Sequence, residues 1–132
     1  MSYLVDTHYL IWSLISPERI PAVHRELLES SESEKFVSNI SFWEVSLKYG
    51  LGKLRLAGVT PEQLVTEATE SGFAILGITT EQLAGSHRLE YVGAHRDPFD
   101  RLLVWQCITS KLKLMTADDE VREYVAVGLQ LA

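Results

Sequence analysis

Tyr3-Leu4-Val5-Asp6-Thr7-His8-Tyr9-Leu10 opens the chain and sets the pattern that decides its fold. A short apolar run, Tyr3 to Val5, ends in an acid and is followed by helical character from Tyr9 to Leu14. An apolar run of that length, bounded by polar residues, reads as a buried strand. The same grammar recurs along the chain. Pro17 and Pro21 break the first helix, and Ala22 to Ser30 reads as a second. Phe36-Val37-Ser38 is a second strand, leading to a helix over Ser41–Tyr49 that Gly50 closes. Thr60 caps a further helix with Pro61 in its first turn, and that helix ends at Gly72. Phe73-Ala74-Ile75-Leu76 is a third strand, and Thr80 to Leu89 is helical. Asp97-Pro98 opens a long helix to about Lys111, apolar nearly all round from Phe99 to Ile108, which predicts burial against the sheet. Leu112 to Met115 is a fourth strand, Asp118 to Tyr124 a short helix, and Val125 to Leu131 a predicted fifth strand. Strands alternating with helices specify an α/β fold, a parallel sheet of about five short strands with helices on both faces.

Composition bounds the function. The 132 residues are 46% hydrophobic and 23% charged, enough for one folded domain over 1–132 and too apolar for disorder. No apolar run is long enough to cross a bilayer, and Met1-Ser2-Tyr3 carries no leader-like basic segment, so a cytoplasmic location without a membrane is expected. The single Cys107 excludes an intrachain disulfide and a cysteine-based zinc site, and its place on the apolar helix predicts an inert buried thiol. A net charge of −6 argues against a protein that coats nucleic acid electrostatically. It does not argue against a nuclease whose site is acidic.

The acids are distributed unevenly. The Glu are spread along the chain, whereas the Asp stand only at 6, 97, 100, 118 and 119, beside apolar segments. Asp6 ends the first strand, Asp118 follows the fourth, Glu44 is near the start of a helix, and Asp97 and Asp100 open the long helix. In alternating β/α folds, helix N-termini and strand C-termini share one edge, where such sheets keep their sites. Each acid also has a local explanation. Asp6, Asp97 and Asp118 suit helix caps, Ser41-x-x-Glu44 has the form of a capping box, Glu44 and Lys48 form an i,i+4 pair, and Asp100 favours the helix dipole. Capping, however, does not require Asp so often. Carboxylates converging to ~5 Å repel by about 3 kcal/mol per pair at an effective dielectric of 20, so a cluster must protonate or hold a cation. Oxygen donors without Cys or paired His favour Mg2+ or Mn2+ over zinc.

The ordered segments Leu4-Val5-Asp6-Thr7-His8, Ser38 to Lys48, Leu51-Gly52-Lys53-Leu54, His95-Arg96-Asp97-Pro98-Phe99-Asp100-Arg101-Leu102-Leu103 and Leu114-Met115-Thr116-Ala117-Asp118 resemble the PIN-domain ribonucleases, and among them the VapC-type toxins of type II toxin–antitoxin pairs. The resemblance covers essentially the whole chain. It implies a metal-dependent endoribonuclease in which Asp6, Glu44, Asp100 and Asp118 form an acidic quartet. Asp6, Asp100 and Asp118 would hold Mg2+ or Mn2+, with Glu44 completing the site directly or through water. Asp97 belongs to the same run but is better placed as a cap, Asp119 lies outside, and Thr7 and Thr116 are polar supports. It also implies an RNA substrate, a homodimer and a cognate antitoxin protein. One departure stands out: where the family often has Arg before the last acid, this chain has Ala117.

Other residues allow two readings each. Lys48, Lys53, Arg55, Arg96 and Arg101 lie near the acidic edge and are candidates for RNA phosphates or plain solvated charges. His8 is two residues from Asp6, a candidate neighbour of the site or a surface residue. Trp12, Trp43 and Trp105 suit core packing or a dimer face better than base stacking. A phosphoacceptor receiver domain fits the length but requires an Asp after the third strand and a late Lys; here Gly77 follows that strand and no Lys lies beyond Lys113. The alternative that remains is a catalytically inactive PIN-like binding module for RNA or protein.

Overall fold

The computed structural model describes all residues 1–132. Four parallel strands form the sheet: β1 (Ser2–Val5), β2 (Glu34–Ser38), β3 (Ala74–Leu76) and β4 (Lys113–Met115), in the order β3-β2-β1-β4. Register pairs Leu4 with both Phe36 and Leu114, and Val5 with Val37 and Met115. Around the sheet lie α1 (Thr7–Ile15), α2 (Ala22–Glu29), α3 (Asn39–Gly50), α4 (Pro61–Glu70), α5 (Thr80–Gly85), α6 (Pro98–Ser110) and α7 (Asp119–Arg122).

The alternation of β1 explains the layers. Tyr3 and Val5 point into one core with Leu10, Val45, Leu64 and Met115; Leu4 points into the other with Leu103, Val104, Cys107 and Tyr124. All three strand residues are fully buried. Each such side chain contributes roughly 1.5–3 kcal/mol by leaving water. Cys107 is buried as expected.

The predicted fifth strand is replaced by a 3-10 turn over Glu123–Val127. The turn buries Tyr124, and Gly128 leaves it in the left-handed region at φ 110°. Only Leu131 then reaches the sheet, through a single parallel bridge to Leu114. The helix expected over Thr80–Leu89 stops at Gly85 and continues as a 3-10 turn, Ser86–Arg88.

The strand order positions the site. From β1 the chain steps outward through β2 to β3, then returns to place β4 on the other side of β1. The order reverses between β1 and β4, so their carboxyl ends open into a crevice. Asp6 and Thr116 follow those two ends directly.

Candidate active site

Asp6 caps α1, its Oδ1 accepting from the Tyr9 amide at 2.8 Å. Its other oxygen accepts from the Thr116 hydroxyl at 2.5 Å, and its own amide donates to the Met115 carbonyl. The residue is only 7% exposed. Burial pushes it above the ordinary carboxylate range, against those hydrogen bonds, and the Asp118 charge adds to the rise. Asp118 caps α7 with Oδ1, which accepts from the amides of Glu120 and Val121. Thr116 also receives the Asp118 amide, so one hydroxyl fixes both acids.

The other acids gather across the crevice. Asp97 caps α6 and accepts from the Asp100 amide at 2.9 Å. Asp100 accepts from Nε2 of His95 at 3.1 Å, and the other ring nitrogen meets the Tyr124 hydroxyl at 2.9 Å. Burial raises the Asp100 carboxyl to about 6; the His95 contact opposes the rise, and the charges of Asp97 and Glu44 add to it. Glu44, 4% exposed, lies on α3 and pairs with Lys48 at 2.5 Å. Burial disfavours the Lys48 charge, but the Glu44 hydrogen bond and the charges of Glu44, Asp97 and Asp100 outweigh it and hold the ammonium above its usual value. Thr7 of α1 donates to Ser41 of α3 at 2.9 Å, joining the two halves of the edge.

Two expectations about this edge change. Ser41 is not a cap: Ser38 caps α3 by accepting from the Ile40 amide, because the helix begins at Asn39. Ser41 is therefore one turn inside, buried, and available to Thr7. Nor do the four acids converge as one chelating group, since no three Asp, Glu, His or Cys side chains lie close enough to hold an ion. The reason is local. Asp6 is engaged by Thr116 and Tyr9, Asp118 by its helix, Asp100 by His95, and Glu44 by Lys48.

The donors nonetheless suit a hard divalent cation. They are all oxygens, and Glu44 Oε1 is buried with no partner. Mg2+ uses one or two carboxylates and keeps several waters. The carboxylate pairs fit such an ion; a closed protein cage does not fit them.

The basic candidates divide. Lys53 is exposed in the turn after α3, and Arg55 is exposed beyond it. Arg96 donates to the Gly93 and His95 carbonyls. Arg101 donates to the Leu89 and Glu90 carbonyls and the Tyr124 hydroxyl, and its guanidinium lies 3.8 Å from the Tyr91 ring centre. Both arginines thus brace the segment before α6. Trp43 is 57% exposed, its edge on Phe99, rather than packed in a core. Asp119 is exposed and begins α7.

Sequence reasoning missed His95 as a support. Its signal was present: it begins the run that contains Asp97 and Asp100.

A family model for the PIN domain matches residues 3–126. The chain belongs to the PIN domain family. Among solved structures, this PIN domain resembles a crystal structure of VapBC2 from Rickettsia felis bound to a DNA fragment from its promoter. The two share 17% identity and a TM-score of 0.65, over 100% of this chain and 98% of the other. That likeness is one of fold. No curated protein sequence matches the PIN domain described here. No helix in it is long and apolar enough to cross a membrane.

Proposed function

We propose that this PIN domain is a Mg2+- or Mn2+-dependent endoribonuclease, the toxin of a type II toxin–antitoxin pair. One observation carries the reading: Asp6, Glu44, Asp97, Asp100 and Asp118 stand at the carboxyl edge of the sheet, where burial raises Asp6 and Asp100 and the neighbouring acids add to the rise. Buried, neighbouring carboxylates that Lys48 and His95 offset only in part are what a resident divalent ion relieves. PIN domains are generally nucleases, which supports the same chemistry.

Asp6, Asp100 and Asp118 would hold the ion in part through bound water, because no three acids reach one point, with Glu44 completing the set directly or through water. When bound, it supplies Lewis-acid polarisation of a phosphodiester and a hydroxide at neutral pH. The chain's own residues do the rest. Thr116 holds Asp6 and the Asp118 amide at fixed positions. Tyr124 orients His95, which orients Asp100. The Lys48 ammonium lies beside Glu44, Asp97 and Asp100, where it offsets charge on the substrate phosphate. Thr7 and Ser41 lock α1 to α3, keeping the two groups of acids at a set separation. Lys53 is free to meet phosphates farther along the strand.

A single domain of this kind would act in the cytoplasm as a homodimer, held inactive by a cognate antitoxin. The likeness to a toxin–antitoxin complex supports the antitoxin partner. A second reading, an inactive PIN-like binding module, is favoured by the lack of a preformed chelating group and by Ala117. Cleavage decides between them. Freed of any copurifying partner, the protein should cut a mixed cellular RNA pool with Mg2+ or Mn2+, and EDTA or Asp6→Asn should abolish cutting. No cleavage by the folded protein with either metal would favour the binding module.

A further inference from the structure

We propose that the cavity between α1 and the loop joining β4 to α7 is a base-stacking subsite, where Trp12 and His8 receive an unpaired nucleobase of the RNA strand. The inference rests on the ribonuclease reading above and adds the part of the substrate that this wall recognises. The cavity measures about 210 Å3 and is lined by Asp6, His8, Tyr9, Trp12, Ala117 and Asp118. It therefore opens beside two of the acids proposed to hold the ion.

Its walls suit a flat heterocycle. Trp12 packs against one core but remains partly exposed. The exposed His8 ring lies 5.7 Å from it at 40°, and Tyr9 lies at the same distance and angle. Tyr9 is wall only, because its hydroxyl is taken by His24 at 2.7 Å. Ala117 leaves room where a longer side chain would fill the space. At the rim stand polar groups for a base edge: the His8 imidazole, and the Asp118 oxygen that its helix does not use.

The charge pattern selects among guests. The Arg19 guanidinium already sits 4.7 Å from the Trp12 ring centre. A second cation on that ring would be repelled, whereas a neutral π-face would not. Arg19 is also placed to offset the charge of an attached phosphate. Bases inside a duplex expose no face to stack, so the substrate class is single-stranded RNA or an unpaired loop.

The test makes Trp12 the sole tryptophan, with Trp43→Phe and Trp105→Phe, and works in EDTA so that binding is read without cleavage. Adenosine 5′-monophosphate and a short single-stranded oligonucleotide should quench Trp12 saturably. Ribose 5-phosphate and the same sequence as a duplex should not. By anisotropy of a labelled oligonucleotide, Trp12→Ala should weaken binding about 5- to 150-fold. Trp12→Phe should retain most of it, and His8→Ala, at an exposed position, should weaken it with no change in unfolding temperature. Equal quenching by ribose 5-phosphate, or quenching by N-acetyl-arginine amide but not by the nucleotide, overturns the proposal; the latter outcome would make the slot a site for a protein's cationic side chain. Nucleotide quenching without metal-dependent RNA cleavage refutes the nuclease reading alone. Cleavage without quenching refutes the subsite alone.

Discussion

Removing the charge of Asp100 should make the metal-free protein more stable at neutral pH. Burial beside Asp97 and Glu44 raises the carboxyl from 3.8 to about 6. The folded protein then binds more protons than the unfolded chain between those values, so stability falls as pH rises through that window. The contribution is fully present below the unfolded value and lost above about 6. At about 1.4 kcal/mol per unit, the shift corresponds to roughly 3 kcal/mol. The side chain is 25% exposed, and solvent screening reduces the effect to about 2 kcal/mol. Asp100→Asn keeps an acceptor for His95 while removing the charge. In EDTA at pH 7.5 it should raise the unfolding temperature by roughly 5–10 °C, read by circular dichroism. At pH 4 the gain should vanish. Added Mg2+ should stabilise the wild type more than the variant, because the ion relieves the repulsion that the variant lacks. A lower unfolding temperature at pH 7.5, or a gain independent of pH, would refute the electrostatic reasoning.

Other outcomes follow from the contacts. Thr116→Val removes a buried hydrogen bond to a carboxylate and should cost about 2 kcal/mol in urea unfolding while lowering cleavage; Thr116→Ser should restore both. Tyr124→Phe strips partners from His95 and Arg101 and should cost about 1–3 kcal/mol, with cleavage reduced through a mispositioned Asp100. Arg101→Ala should destabilise the fold measurably, because Arg101 braces the Leu89–Glu90 backbone. Lys53→Ala should change stability by less than about 0.5 kcal/mol, and in gel-shift assays weaken RNA binding with a shallower salt dependence.

Much of this site could be read from local sequence because its acids sit at element ends. Asp6 closes a strand and caps a helix, and Asp97 and Asp118 cap theirs; such positions carry local signals. The Glu44–Lys48 pair was legible from spacing alone. What escaped depends on contacts distant in sequence. His95 gains its role from Tyr124, 29 residues away. Ser41 was misread because two serines three residues apart both resemble caps, and only the helix start at Asn39 separates them. Arg101 reads as a free charge until its main-chain partners are known. The expected fifth strand failed because apolar residues around Tyr124 and Leu129 serve the core from a turn. Alternating burial and turn packing look alike over so short a segment.

The proposed chemistry requires that the acidic edge hold a divalent cation. Electron paramagnetic resonance of free Mn2+, titrated with the wild type, Asp6→Asn and Asp100→Asn at pH 7.5, tests it most directly. The wild type should deplete the free Mn2+ signal saturably, each substitution should weaken binding at least about tenfold, the equivalent of 1.4 kcal/mol, and Mg2+ should displace the bound ion. An undiminished free Mn2+ signal with the folded wild type, or equal binding by all three proteins, would contradict it.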